Sequence, residues 1–147
     1  MRSTRRALVV LLATLLSGAT VAACVSSSTH DLNSGATVVV RHDSAVLARF
    51  ALSQLRRLPQ VVIATPQSRG AQIQQGPTVR SVLNAAGAAG AERVRVEGRD
   101  PAQTLTAAEL TEQVILNITK RHTLKLAGTT LDAGRWVRDV STLVVNP

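Results

Sequence analysis

Between Thr37 and Val145 the apolar positions change their period several times, and each change marks an expected element. Thr37-Val38-Val39-Val40-Arg41 is β-branched, His42-Asp43-Ser44 has turn composition, and Ala45 to Phe50 resumes an apolar run, which together predict a β-hairpin. Leu52, Leu55 and Leu58 recur every three residues until Pro59 stops them, predicting a short helix of about two turns. Val61 to Thr65 predicts another strand, and the polar segment Pro66 to Gln75, with Arg69-Gly70 and several glutamines, reads as the longest loop.

Gly76 to Val96 organises the middle of the chain. Gly76-Pro77 reads as a turn, Val79, Val82, Leu83 and Ala86 fall on one helical face, Gly87 and Gly90 end the helix, and Arg93 to Glu97 is a strand. Arg99-Asp100-Pro101 is turn-like. Thr106 and Glu109 have capping-box spacing, which makes Glu109 a helix cap rather than a catalytic acid. The remainder predicts three strands, Gln113 to Ile118, Thr123 to Ala127 and Arg135 to Val145. The sum is a strand-rich α+β fold with two or three short helices.

The first residues follow a different logic. Arg2, Arg5 and Arg6 precede an apolar run from Ala7 to Leu16, too short to span a bilayer, so residues 1–23 read as a secretory signal peptide. Val21-Ala22-Ala23-Cys24 resembles a bacterial lipobox, and Cys24 is the sole cysteine. The resemblance implies a lipidated Cys24, acylated strongly enough to hold the protein on the extracytoplasmic face of the cell envelope. Residues 24–35, with Ser26-Ser27-Ser28-Thr29 and no apolar periodicity, read as a flexible tether, and 36–147 as one domain. With one cysteine there is no intramolecular disulfide, so packing alone must hold that domain.

Charge changes the picture modestly. With Arg2, Arg5 and Arg6 removed, 17 basic residues become 14 against 9 acidic ones, a net of about +5. The arginines are scattered, and Phe50 and Trp136 are the only aromatics, so neither a phosphate track nor a stacking platform for nucleic acid is present. A basic face against anionic phospholipid suits this charge better, and a solvated surface suits it better still.

Candidate chemistry is sparse. His30, His42 and His122 lie in separate segments without metal-ligand spacing, and Ser44, Ser53, Ser68 and Ser81 lack a Gly-x-Ser-x-Gly context. Asp100, Asp132 and Asp139 sit in or beside turns, and Asn117-Ile118-Thr119 carries no glycan meaning in a bacterial envelope. Arg69, Arg80, Arg135 and Arg138 read first as solvated surface arginines and, second, as a set that would converge on an anion, with Trp136 lining a cleft or filling the core. No catalytic, cofactor-binding or metal residue is assigned.

Three stretches resemble the molybdopterin-binding domain of the sulfite-oxidase family. They are Phe50-Ala51-Leu52-Ser53-Gln54-Leu55-Arg56-Arg57-Leu58-Pro59, the Gly-x-x-x-Arg-x-x-Leu-x-x-Ala-Gly run of Gly76 to Gly87, and Gly134-Arg135-Trp136-Val137-Arg138-Asp139-Val140. Their order covers most of residues 36–146 and implies an α+β fold with a β-grasp-like part. The resemblance also implies a cysteine thiolate on molybdenum after Val61 to Thr65, where this chain has Pro66-Gln67-Ser68-Arg69, and a longer loop than Asn117 to His122. Molybdenum held this way needs a soft ligand that the segment lacks. The sequence therefore leads to a non-enzymatic, cofactor-free binding or interaction module on a lipoprotein, with an unknown envelope protein or small ligand as partner. Alternatives are a pterin or molybdenum cofactor carrier or oxidoreductase subunit, and a soluble-ligand-binding β-grasp module.

Overall fold

Alternation of apolar and polar side chains sets the main sheet. In the computed structural model, which describes residues 35–147, β1 (Thr37–His42) buries Val38 and Val40, β5 (Arg93–Glu97) buries Val94 and Val96, and β9 (Thr142–Val145) turns Leu143 and Val145 to the same side. With β2 (Ala45–Ala51) and β6 (Gln103–Thr106) they form a five-stranded sheet in the order β2-β1-β9-β5-β6. β1 and β9 pair in parallel, and the other neighbours are antiparallel.

Two further hairpins complete the α+β architecture. β3 (Gln60–Ala64) pairs with β4 (Ile73–Pro77), and β7 (Val114–Ile118) with β8 (Leu124–Gly128). The two meet edge to edge where Thr78 bridges Ile115 and Gly76 passes Leu116. A Cβ at Gly76 would sit 2.0 Å from the Leu116 carbonyl oxygen, so glycine alone permits the approach.

The helices are short and well capped. In α1 (Leu52–Leu55) the Gln54 side chain accepts from the Ala51 N–H at 2.8 Å, and Leu52 and Leu55 point inward. In α2 (Val79–Ala85) the Thr78 hydroxyl accepts from the Ser81 N–H at 3.0 Å. Its far end closes with Gly87 at φ 77° and the Ala88 N–H donating to the Leu83 carbonyl at 2.8 Å, a left-handed stop. Val79, Val82 and Leu83 join the sheet's inner valines, Leu116, Leu124 and Leu126 in one apolar cluster. That cluster falls between Val38 and Val145, with Ala36 packed beside it.

The structure corrects several sequence expectations. α1 is one turn rather than two, because the Gln60 amide takes the Leu55 and Leu58 carbonyls at 2.9 and 2.8 Å before Pro59 would end the helix. The expected loop Pro66 to Gln75 ends three residues early: the glutamine-rich Ile73-Gln74-Gln75 joins a full ladder against β3. Gly76-Pro77 closes that strand instead of opening a turn. β6 was missed because its four residues bury only Leu105. Arg135 to Val145 is not one strand, since Ala133–Arg135 is a 3-10 turn, Asp139 has φ 51°, and only Thr142–Val145 joins the sheet. No helix follows Thr106. The signal peptide, the tether up to Ser34, Cys24 and His30 lie outside the described residues.

Gly76→Ala is expected to lower unfolding stability by about 2–4 kcal/mol, since backbone must move to admit the methyl group. Urea denaturation checks this, and a loss below about 1 kcal/mol would contradict the close approach.

Candidate functional site

Short connections at one end of the two hairpins leave a groove of about 1250 Å³. Its walls come from the β3–β4 loop, the β7–β8 turn, the β5–β6 turn and the segment between β8 and β9. Five cations line it, Arg56, Arg69, Lys120, Lys125 and Arg138, against the single carboxylate of Asp100.

The β3–β4 loop is pinned at its base and free at its tip. The Thr65 N–H donates to the Gln72 carbonyl at 2.6 Å, the Ser68 N–H to the Thr65 carbonyl at 2.9 Å, and the Gln67 amide reaches the Gly128 carbonyl at 3.3 Å. Beneath, the fully buried Thr65 hydroxyl receives the Gln74 amide at 2.7 Å. This anchoring holds Arg69 at the groove wall without engaging its guanidinium.

The opposite wall rests on Asp100 and Arg138. A side chain at Gly98 would strike the Arg138 carbonyl at 2.5 Å, so the turn before Asp100 lies directly against this segment. Asp100 accepts from the Arg138 N–H at 2.8 Å and from its guanidinium at 2.6 to 3.2 Å, a forked pair with a backbone bond added. The Arg138 guanidinium and N–H hold the Asp100 carboxyl down to about 2, and Asp100 in turn raises Arg138. Lys125 crosses the groove floor with Nζ 4.3 Å from the Trp136 ring centre, and burial, then the neighbouring Arg138, lowers its pKa. Trp136 donates its indole N–H to the Leu131 carbonyl at 3.2 Å and is nearly buried. It is both core and groove lining.

Of the four arginines singled out from the sequence, two reach the groove. Arg80 instead donates to the Leu110 and Ala107 carbonyls at 2.8 and 3.2 Å, tying α2 to the turn after β6. Arg135 pairs with Glu109 and donates to the Thr104 carbonyl at 2.9 Å. Glu109 also accepts from the Thr106 N–H at 2.9 Å, so its cap-like contacts close a turn, and Arg135 holds its carboxyl below the usual range. Arg56, Lys120 and Lys125 escaped notice. Lys125 had a signal, as the one charged position in the otherwise buried strand β8. His42 ends β1 and His122 sits in the β7–β8 turn, and no three His, Cys, Asp or Glu converge among the described residues.

No protein-family model and no curated protein matches this sequence. Among solved structures, the chain is similar to the sulfane dehydrogenase SoxCD from Paracoccus pantotrophus, with 16% identity and a TM-score of 0.58. The likeness covers 75% of this chain and 38% of that one. It supports a distant sulfite-oxidase-like fold. The place where that resemblance implies a thiolate is the β3–β4 loop, and the groove residues include neither cysteine nor histidine. Their oxygen and nitrogen donors do not fit molybdenum held through a soft sulfur ligand.

Because Asp100 is held ionised in the folded state, protonating it costs stability. Stability is expected to be flat above the ordinary carboxylate pKa and to fall as pH drops from about 4 towards about 2. Asp100→Asn should remove that part of the acid limb, and carboxyl titration by NMR should show Asp100 returning towards its ordinary value in Arg138→Ala.

Proposed function

We propose that this chain is a membrane-anchored bacterial lipoprotein whose sulfite-oxidase-like domain is a cofactor-free binding module in the cell envelope. Cys24 carries the lipid, and the groove takes an anionic ligand. The observation that carries the ligand class is the charge in the groove. Arg138 is neutralised by Asp100, while among the described residues Arg56, Arg69, Lys120 and Lys125 have no carboxylate within ion-pair distance. Four uncompensated cations around one cavity repel one another, and a bound anion relieves that repulsion.

Trp136 and Ile118 add apolar surface to the wall, and glutamine side chains from β3, β4 and their loop add neutral donors and acceptors. A few polar groups converging over apolar lining is the usual make-up of a small-molecule site. The missing thiolate argues for binding rather than for the redox chemistry that the resemblance would otherwise suggest.

Inorganic pyrophosphate and a panel of dicarboxylates are expected to raise the melting temperature of the protein. Arg69→Glu with Lys120→Glu should weaken the tightest of them by at least about tenfold. Equal affinity in the variant, or no shift with any anion, would overturn the groove assignment. Separately, Cys24→Ser is expected to leave the precursor uncleaved or to release the protein from the membrane fraction. Unchanged mass and fractionation would refute the anchor.

A further inference from the structure

The five-stranded sheet has one face in the core and one in solvent. Across the register, the outward positions carry Arg49 on β2, Arg41 on β1, and Arg93 and Arg95 on β5, with Thr142 and Val144 of β9 between them. Glu97 is the only carboxylate on the outward strand positions among the described residues, and it pairs with both Arg41 and Arg95, at 3.5 and 3.2 Å. Four guanidinium groups against one carboxylate leave the face strongly positive. None of these residues lines the groove.

The face is also partly apolar. Val46 pairs with Arg41 next to a bulge in the ladder, and Val46 and Leu47 are 47% and 43% exposed at the sheet edge. Val144 lies in register between Arg41 and Arg95 and is only 7% exposed, as expected when aliphatic arginine stems lie over it. A flat array of arginines with apolar side chains at its margin suits a surface of phosphate headgroups over hydrocarbon.

We propose that this outward face of β2, β1, β9 and β5 lies against an anionic phospholipid bilayer. The contact rests on the lipoprotein reading for its location. β1 begins at Thr37, and the stretch from Cys24 to Gly35 spans at most about 40 Å when fully extended. An anchored Cys24 would thus keep this sheet within reach of the headgroups. The attraction itself needs no acyl chain: each arginine beside an anionic surface is worth about fivefold in partitioning, and salt screens it.

The test separates the two readings by omitting the lipid. The chain beginning at Val25, which retains all of the apolar cluster, is mixed with phosphatidylcholine vesicles with or without one-third phosphatidylglycerol, and sedimented. Binding to the anionic vesicles alone, weakened by salt, is expected. Arg49→Gln, Arg93→Gln and Arg95→Gln together should reduce it by at least about tenfold without changing the melting temperature, since all three side chains are exposed. Arg69→Glu with Lys120→Glu, in the groove, should leave it nearly unchanged. Absence of binding to anionic vesicles, equal binding by the triple variant, or loss of binding only in the groove variant would each overturn the proposal, and none of these results bears on acylation of Cys24.

Discussion

Two places where backbone meets backbone without room for a side chain fix the arrangement of this domain. At Gly76 strand β4 runs against the carbonyl of Leu116 in β7, and at Gly98 the turn after β5 runs against the carbonyls of Arg138 and Asp139. The first contact sets the β3–β4 hairpin on the β7–β8 hairpin, and so brings Arg69 near Lys120 and Lys125. The second places Asp100 under Arg138. Larger residues at either position would displace backbone rather than a flexible side chain.

The charges in the groove do not contribute equally. Arg138 is already committed to Asp100 by a forked pair and a backbone bond, so it stiffens the wall more than it attracts a ligand. Lys125 is partly desolvated over the Trp136 ring, which places a cation in a less polar setting. Arg56, Arg69 and Lys120 are exposed and, among the described residues, have no ion-pair partner.

The sequence made the regular elements legible and hid the connections between them. Val38 and Val40, Val94 and Val96, and the Val79, Val82, Leu83 face were readable because periodicity reports burial directly. β4 was not, because Ile73-Gln74-Gln75 owes its strand to a ladder with β3 and to the buried Gln74–Thr65 bond, both of which are tertiary. Arg135 illustrates the same limit at the site. It was expected beside Arg138 on one last strand, but the 3-10 turn at Ala133 directs it to Glu109, away from the groove. The strand-rich α+β class and its distant sulfite-oxidase-like likeness survive, since they rest on the order of elements, whereas the membership of an anion site rests on loop geometry that no spacing encodes.

The parallel pairing of β1 with β9 joins the first described strand to the last. Its loop-closure entropy spans the whole domain, and β5 can reach β1 only through β9. Among the described strands the centre of the sheet is thus the last in chain order, and without Thr142–Val145 neither β1 nor β5 has its central partner. A topology that depends on a pairing of such high sequence separation is slow to form.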